Sequence, residues 1–414
     1  MTKLEELINE LCPDGVEYKR IDEFCTITRG RVMSKDYIRD NVGQYPVYSS
    51  QTENNGELGK ISTYDFEGEY LTWTTDGANA GSVFYRNGKF SVTNVCGLLK
   101  VKIDEITTKY LYHILSITAP KYVNKGMGNP KLMSNVMARI KVPLPPLSVQ
   151  SEIVHILDSF TLLTAELTAE LTARQKQYAF YRDYLLDFSN EDVTKKIPDI
   201  DCSNVEYKRL GDIAKFTYGY TDKAKDYGDT RFIRITDILD NGYLNPNDAK
   251  YINLNEESKK YLLSKGDLLL ARTGATYGKT LYVPNDEKAV YASFLIKIEL
   301  DNTKILNRYY WHFSKSNLYW KQANKLVSTA GQPQFNTNAV SRVVIPVPPL
   351  SVQENIVEIL DRFDKLNNNM SNGLPAEIEA RKKQYEYYRD TLLSFDDKAC
   401  SHIVKVERER ANTQ

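Results

Sequence analysis

Three short sequences each occur twice in this chain, in the same order. The pairs are CPDGVEYKR at Cys12–Arg20 and CSNVEYKR at Cys202–Arg209, PLPPLSVQ at Pro143–Gln150 and PVPPLSVQ at Pro346–Gln353, and QYAFYRDYLLDF at Gln177–Phe188 and QYEYYRDTLLSF at Gln384–Phe395. Solenoid proteins repeat every 20–50 residues or so, about a tenth to a quarter of the spacing here. The segments between the repeated sequences look mostly unrelated. The chain is therefore predicted to be a tandem of two whole domains, which can bring two recognition surfaces to one partner.

Composition indicates the compartment rather than the partner. The 414 residues suffice for two domains with separate cores and connecting helices. Lys and Arg number 54, as do Asp and Glu, so net charge alone predicts no nucleic-acid partner. The cysteines are scattered without a C-x-x-C pair, which favours a reducing cytoplasm over disulfides or a zinc site: Cys12, Cys25, Cys96, Cys202 and Cys400. Because no apolar segment is long enough for a signal or membrane helix, we expect a soluble cytoplasmic protein without a membrane partner.

Strand and helix patterns predict two globular domains of mixed α+β structure. In the first, alternating runs such as Tyr70–Thr74, Ser82–Tyr85 and Val95–Ile103 indicate strands, and Tyr110–Ser116 indicates a helix. In the second, the predicted strands are Phe232–Ile235, Asp267–Ala271 and Leu295–Leu300, and Asn307–Leu326 is a predicted helix. The predicted organisation is a first domain with an N-terminal helix at 1–147, a helix at 148–188, a linker at 189–203, a second domain at 204–350, helices at 351–395 and a tail at 396–414.

The connecting segments are predicted to be long helices. Ser148–Phe188 contains no Gly or Pro and follows a Pro-Pro pair, which gives a sharp helix start. Two seven-residue series in it form a coiled-coil seam: Ile153, Phe160, Leu167, Arg174, Tyr181 and Phe188, and Leu157, Thr164, Leu171, Tyr178 and Leu185. In the second copy, Gly373 and Pro375 are expected to break the helix in two. The simplest arrangement is an antiparallel coiled coil that holds the two globular domains apart.

Each half has a stretch rich in basic and aromatic residues just before its PxPPLSVQ sequence. No acidic residue lies between Glu105 and Glu152, or between Asp301 and Glu354. The basic residues there are Lys109, Lys121, Lys125, Lys131, Arg139 and Lys141 in the first half, and Lys304, Arg308, Lys315, Lys321, Lys325 and Arg342 in the second. A solvated helix face balanced by nearby acids would explain one such stretch. Its presence at matching places in both halves favours a DNA-binding face.

Several apparent catalytic motifs are incomplete. Gly274–Thr280 reads GATYGKT, with three residues between its glycines where a P-loop needs four, and the matching Gly77–Ser82 has no lysine. A close backbone approach to DNA or to a neighbouring strand explains a paired glycine loop better, although an NTPase stays open as an alternative. Asp14 and Glu17 mimic a nuclease metal site, but they lie too close in sequence, and a strand is the preferred interpretation. Without a methyltransferase motif or a catalytic spacing of histidines, the chain is predicted not to be an enzyme.

Taken together, these sequences resemble the specificity subunit of type I restriction-modification systems over essentially the whole chain. The resemblance rests on the CPDGVEYKR opening, both PxPPLSVQ sequences, TAELTAELTAR in the first long helix and LPAEIEARKKQYEYYRDTLLSF near the end of the second. These motifs occur in the order of the family, and nearly all occur twice. One departure is that Thr164–Leu171 replaces the broken form (SNGLPAE) that family members often carry in this connector. This departure leaves the length of the DNA spacer open.

The resemblance implies two α/β target recognition domains in pseudo-twofold tandem, separated by two long helices, with each domain reading one half of a split, asymmetric DNA site. It implies that this chain is not catalytic and binds no cofactor. Its expected partners are double-stranded DNA, two methyltransferase subunits that bind S-adenosylmethionine and methylate adenine, and two restriction subunits that use ATP and Mg and attach through the methyltransferase core. A structural coiled-coil adaptor without DNA contacts is the second alternative left open.

Loops at corresponding places in both halves are the best candidates for DNA contacts. GNPKL at Gly128–Leu132 aligns with GQPQF at Gly331–Phe335. Asn, Gln and Lys side chains read adenine and guanine edges or hold phosphates, although they also occur in ordinary polar turns. With the glycine loops and basic stretches included, the candidate DNA-binding residues are Lys121, Lys125, Asn129, Lys131, Asn79, Arg272, Thr276, Lys279, Lys321, Lys325, Gln332 and Gln334. Trp73, Tyr218 and Tyr220 rank lower because they could equally belong to the core.

Overall fold

The computed structural model describes residues 3–126, 128–189, 205–328, 331–368 and 373–395. These residues form two compact units. Unit one contains residues 3–165 and 379–395, and unit two contains the described part of 166–378. Each unit therefore combines one globular domain with adjoining parts of the long helices. The predicted linker lies outside the described residues apart from Ser189, and so does the predicted tail at 396–414.

The globular domain of unit one is built on a six-stranded sheet. The strands of the whole domain are β1 (Glu17–Arg20), β2 (Cys25–Arg29), β3 (Val42–Tyr48), β4 (Glu57–Ile61), β5 (Phe66–Thr74), β6 (Val83–Val92), β7 (Cys96–Val101) and β8 (Lys141–Leu144). Its helices are α1 (Lys3–Leu11), α2 (Ile21–Phe24), α3 (Lys35–Asp40), α4 (Thr108–Thr118) and α5 (Ser134–Arg139), followed by the first long helix, α6 (Leu147–Leu186). The sheet order is β2-β7-β5-β6-β3-β4, and only β3 and β6 pair in parallel. The three strands and the helix predicted in this domain overlap β5, β6, β7 and α4.

Unit two has smaller sheets. Its strands are β9 (Glu206–Arg209), β10 (Ala214–Tyr218), β11 (Thr230–Ile233), β12 (Tyr251–Ile252), β13 (Leu268–Ala271), β14 (Thr280–Tyr282), β15 (Ala289–Tyr291), β16 (Leu295–Leu300) and β17 (Val344–Val347). Its helices are α7 (Leu210–Ile213), α8 (Asn307–Phe313), α9 (Asn317–Leu326), α10 (Thr337–Val340) and α11 (Leu350–Asn368), and α12 (Leu374–Leu392) begins here. The sheet orders are β10-β16-β13-β14, β12-β11-β15 and β17-β9.

Short 3-10 turns occur in both units. They lie at Glu53–Gly56 and Ala119–Tyr122 in unit one, and at Ile235–Asp237, Ser258–Tyr261 and Gly274–Thr276 in unit two.

The prediction of one helix over Asn307–Leu326 is wrong. The chain leaves the helical path after Phe313 and starts a new helix at Asn317. The hydroxyl of Ser316 accepts a hydrogen bond from the Tyr319 amide at 3.2 Å, so Ser316 is the N-cap of α9. Serine at this position satisfies one of the free amides of a helix start, which is why the break occurs here.

The repeated sequences pair with one another within each unit. Strand β1, which carries EYKR, pairs antiparallel with β8, and Tyr18 lies opposite Pro143. Strand β9, which carries the second EYKR, pairs with β17 in the same way, with Tyr207 opposite Pro346. The VEYKR and PxPP motifs therefore recur together because each is half of one small sheet that leads into a long helix.

The glutamine that ends each PxPPLSVQ sequence is fully buried and hydrogen-bonded. The Gln353 amide donates to the carbonyl oxygens of Lys304 and Pro348, both at 2.8 Å, and its Oε1 accepts from the Leu306 amide at 2.9 Å. Gln150 makes the same three bonds at the corresponding places in unit one. Losing a partner inside a protein costs a buried polar group about 1–3 kcal/mol. The glutamine thus fixes the start of a long helix against its globular domain.

The first long helix is continuous. Helix α6 has 40 residues, which corresponds to about 60 Å at 1.5 Å per residue. It begins at Leu147, directly after Pro145 and Pro146 and one residue before the predicted start at Ser148. Leu157 is buried in unit one and Leu185 in unit two, whereas the residues near the middle of the helix are half-buried or exposed. The helix therefore has both ends packed in domain cores and a middle that touches neither core.

Within unit two, α6 and α11 run antiparallel. Tyr181 stacks on Phe363 with ring centroids 5.3 Å apart, and the Arg174 carbonyl accepts from Asn367 Nδ2 at 3.4 Å. Tyr181 comes after Arg174 in α6, whereas its partner Phe363 comes before Asn367 in α11, so the two helices run in opposite directions. The helix break predicted from Gly373 is confirmed, because α11 ends at Asn368 and α12 starts at Leu374.

An acid–base cluster around a buried histidine joins each long helix to its domain. Asp361 of α11 accepts from Arg308 Nε at 2.8 Å and lies 2.7 Å from His312 Nε2. Burial lowers the pKa of His312 to about 4, so the imidazole is neutral at physiological pH. The corresponding residues of unit one are Asp158, Lys109 and His113.

Candidate nucleic-acid interface

A glycine loop of the same shape follows a buried strand in each domain. We call Thr74–Ser82 and Ala271–Lys279 the glycine loops. The amide of Gly81 donates to the carbonyl of the residue that opens its loop at 2.9 Å, and Gly278 does the same at 2.8 Å. The four glycines of the two loops have φ between +71° and +91°, a region that residues with a Cβ rarely adopt. The turn therefore depends on glycine at these places.

A second loop carries the GNPKL or GQPQF sequence. We call the described residues of 124–131 and 328–334 the tip loops. Asn124 and Lys131 exchange two backbone hydrogen bonds of 2.9 and 3.0 Å, and Ser328 and Gln334 exchange two of 3.0 Å. Each tip loop is therefore closed at its base, with the predicted sequence on its second side.

Backbone hydrogen bonds join the glycine loop to the tip loop in each domain. In unit one, the Gly77 amide donates to the Pro130 carbonyl at 3.0 Å, and the Leu132 amide donates to the Thr75 carbonyl at 2.9 Å. The same two bonds recur in unit two, at 3.1 Å from Gly274 to Pro333 and at 2.7 Å from Phe335 to Arg272. We call each pair of joined loops a recognition platform.

The two recognition platforms have the same backbone frame but different side chains. The repeated hydrogen bonds and the aligned tip sequences show which positions of the two platforms are equivalent. The equivalent pairs are Thr75 and Arg272, Asn79 and Thr276, Asn129 and Gln332, Lys131 and Gln334, and Ser82 and Lys279. The structure thus brings together candidate residues that lie more than 40 positions apart in each half of the sequence.

Most candidates of unit one are exposed on or beside the first platform. Lys125, Asn129 and Lys131 are exposed on the tip loop. Asn79 is exposed on the glycine loop, and its Nδ2 donates to Thr52 Oγ1 at 3.0 Å. Lys121 is exposed on the 3-10 turn whose Pro120 packs against Gly81. No carboxylate of the described residues forms an ion pair with these three lysines, so they are available to phosphates.

The second platform combines an anchored arginine with exposed amides and lysines. Gln332 is exposed, and Thr276 is half-buried. Arg272 is half-buried, and its Nε donates to the Ser293 carbonyl at 3.1 Å. Lys321 and Lys325 are exposed one turn apart on α9, which contacts the glycine loop through the hydrogen bond of 2.8 Å from Tyr277 to Asn324.

Lys279, a predicted DNA-binding residue, is paired with an acidic residue of its own unit. Its ammonium group forms an ion pair with Asp240, and only 23% of its side chain is exposed. The amides of Gly274, Gly278 and Lys279 all donate to backbone carbonyls, at 3.1, 2.8 and 3.2 Å. A P-loop needs free amides around a phosphate, so this glycine loop is not built as one.

Two exposed aromatic residues lie beside Arg272. Tyr218, which ranked low, is 41% exposed, and Phe294, which was not considered, is 52% exposed. The Arg272 guanidinium carbon lies 5.2 and 5.4 Å from the centroids of these two rings. The signal available in the sequence was a phenylalanine directly before the predicted strand Leu295–Leu300. Trp73, by contrast, is fully buried and belongs to the core.

Other features of the described residues limit the chemistry of the chain. No group of three or more His, Cys, Asp or Glu residues in the described ranges could hold a metal ion. None of the described helices is long and apolar enough to cross a membrane. In the segment that mimicked a nuclease site, Asp14 lies in a turn and Glu17 begins strand β1, where it pairs with Lys19 at 3.7 Å.

Comparison with known proteins identifies the family. The family model described as the type I restriction modification DNA specificity domain matches residues 13–174 and again residues 202–380. This chain belongs to the type I restriction-modification specificity family. A type I specificity subunit of Mycoplasma pneumoniae is 37% identical over 381 residues, covering 91% of this chain and 97% of the relative. A second M. pneumoniae protein, named as the N-terminus of a type I specificity subunit, is 54% identical over 179 residues, covering 41% of this chain and 96% of its own.

The fold of this type I specificity subunit also matches a solved structure. The crystal structure of a type I restriction-modification S subunit from M. genitalium superposes with a TM-score of 0.60, covering 92% of this chain and 96% of that one at 14% identity. The two matches of the family model contain one recognition platform each. The tandem of two α/β domains predicted from the repeated sequences is confirmed, and so is the role in DNA specificity.

Proposed function

We propose that this specificity subunit reads a split, asymmetric DNA site, with one half-site on each recognition platform. The observation that supports this most strongly is the shared frame with different side chains. Equivalent hydrogen bonds would dock both platforms on DNA in the same way, whereas Asn129 and Lys131 in one and Gln332 in the other would meet different base edges.

Local charge supports DNA as the ligand even though the chain is neutral overall. The lysines beside the platforms that pair with no carboxylate of the described residues are Lys121, Lys125, Lys321 and Lys325. Lysines that neutralise phosphates release counterions, and this release supplies most of the sequence-independent affinity for DNA. Their place next to the amide side chains gives each platform both a phosphate-binding part and a base-reading part.

The continuous helix α6 is proposed to set the distance between the half-sites. The chain would carry out no chemistry and hold no cofactor. Two methyltransferase subunits would bind S-adenosylmethionine and methylate adenine in the site, and two restriction subunits would join through the methyltransferase core and use ATP and Mg. This complex would work in the cytoplasm. The backbone amides of the second glycine loop already donate to carbonyl oxygens of the protein, which argues against the alternative of an NTPase.

The test is reconstitution with the methyltransferase partner followed by methylation mapping. The complex is expected to methylate a split site, and the purified chain alone is expected neither to methylate nor to cut DNA. Replacing Asn129 and Lys131 by alanine should change the base preference in one half-site, and replacing Gln332 should change it in the other. Asn87→Ala is a matched control, because this exposed amide lies in the middle of β6 and outside the glycine loop.

Two results would contradict the proposal. One is a change in both half-sites, or in neither, after either replacement. The other is failure of the reconstituted complex to bind any duplex, which would favour the coiled-coil adaptor.

A further inference from the structure

We propose that Arg272 reads a guanine in the half-site bound by the second recognition platform, and that Gln334 positions Arg272 for this contact. The inference rests on the proposed function and adds to it the base type, the residue that reads the base and the residue that supports it.

Arg272 is held at the platform by several groups. Its Nε donates to the Ser293 carbonyl at 3.1 Å, and its Nη1 donates to Gln334 Oε1 at 3.4 Å. Its guanidinium carbon lies 5.2 Å from the Tyr218 ring centroid and 5.4 Å from that of Phe294, within the range of cation–π contacts. A guanidinium restrained in this way loses less freedom on binding than an exposed lysine.

The groups that hold Arg272 are themselves fixed. Gln334 Nε2 donates to Thr273 Oγ1 at 2.8 Å, so both ends of the Gln334 amide are engaged within the platform. The Tyr218 hydroxyl lies 3.2 Å from Thr337 Oγ1 and accepts from the Thr337 amide at 3.3 Å. Gln334 is therefore a positioning residue rather than a base contact, which refines its place among the candidate DNA-binding residues.

The free part of the Arg272 guanidinium matches guanine. The bonds to Ser293 and Gln334 use two of its five N–H donors. No carboxylate of the described residues pairs with it, so three donors remain, one on Nη1 and two on Nη2, and these two nitrogens can offer a parallel pair to a ligand. Guanine presents two acceptors, O6 and N7, side by side in the major groove, and a bidentate arginine is their commonest partner. The exposed lysines already provide for phosphates, whereas a fixed fork suits a base edge.

The first platform lacks this arrangement. Thr75 takes the place of Arg272, and Val95 takes the place of Phe294. Arg29 takes the place of Tyr218, and its Nε donates to Ser134 Oγ at 3.2 Å. The two half-sites are therefore expected to differ at the base that meets this position.

The experiment measures methylation by the full chain with its methyltransferase partner on duplexes in which the second half-site is randomised. Arg272→Lys keeps the charge but removes the fork. We expect it to lose discrimination about 5- to 150-fold at one G·C pair and to leave the first half-site unchanged. Gln334→Ala should relax the same pair to a smaller extent, and the two changes together should cost less than their sum. Lys325→Gln is the matched control and should weaken methylation of all sequences alike.

Each other result has a defined meaning. A split site whose base preferences survive Arg272→Lys, or a uniform loss of the kind expected for Lys325→Gln, overturns the inference but leaves the proposed function intact. A wild-type complex that methylates no split site overturns the proposed function itself. If Arg272→Lys unfolds unit two, as seen in thermal unfolding, Gln334→Ala decides alone: relaxation at one G·C pair supports the inference, and its absence contradicts it.

Discussion

Lengthening helix α6 by four residues should lengthen the DNA spacer. Adding one Thr-Ala-Glu-Leu unit after Leu171 extends a continuous 40-residue helix by about 6 Å and turns its far end by about 40° beyond a full turn. One base pair of B-DNA rises about 3.4 Å and twists about 34–36°. The rotation matches one base pair, and the extension lies between one and two. The half-sites should stay the same while the spacer grows by one base pair, or at most two.

The insertion point suits this experiment. Leu171 is half-buried in the middle of the helix, between Leu157 and Tyr178, which are buried in the cores of units one and two. Four extra residues there leave both recognition platforms and their supporting contacts unchanged. Deleting one unit should shorten the spacer correspondingly.

Methylation mapping of the insertion variant with its partner subunits is the assay. A two-residue insertion is the control, because it turns the far end of the helix by about 200° and should abolish methylation of any split site. An unchanged spacer, altered half-sites, or full activity of the two-residue variant would refute the role of α6 as the ruler.

Three further predictions concern stability and electrostatics. Gln353→Leu should destabilise unit two by about 2–4 kcal/mol in urea unfolding, because it leaves buried polar groups without partners, whereas Gln175→Leu at an exposed site should change it little. Because burial lowers the pKa of His312 from 6.5 to about 4, the unfolded chain alone gains this proton as the pH falls between those values. The wild type should therefore lose about 2–3 kcal/mol of stability between pH 7 and pH 4.5 that a His312→Gln variant does not lose. Lys125→Gln and Lys325→Gln should each reduce the slope of log affinity against log salt by about 0.9 without changing the preferred sequence, and a changed sequence would show that the lysine contacts a base.

The repeated sequences made the frame of the protein predictable. The Pro-Pro pair and the lack of Gly or Pro after it were enough to place α6 within one or two residues. The alignment of GNPKL with GQPQF placed both tip loops, because two copies of one frame fix the position of a variable segment between them. Local chemistry of this kind is readable from sequence alone.

Contacts between distant segments were not predictable. The pairing of Gly274 with Pro333 is a backbone bond, which carries no side-chain signal in the sequence. The engagement of Lys279 by Asp240, and of Arg272 by Phe294, likewise depends on strands that meet only in the folded domain. The seam of α6 was overestimated near Arg174, which is exposed although it lies at a heptad position. A heptad pattern indicates which face of a helix is apolar, but not how far a partner covers it.

The most direct test of the proposed function is the methylation pattern of a cell that contains this chain and its methyltransferase partner. We expect methylated adenines in a split site, with two different half-sites separated by a spacer of fixed length and unspecified sequence. Deleting the chain should remove this methylation. A continuous recognition site, two identical half-sites, or methylation that persists without the chain would contradict the proposed function.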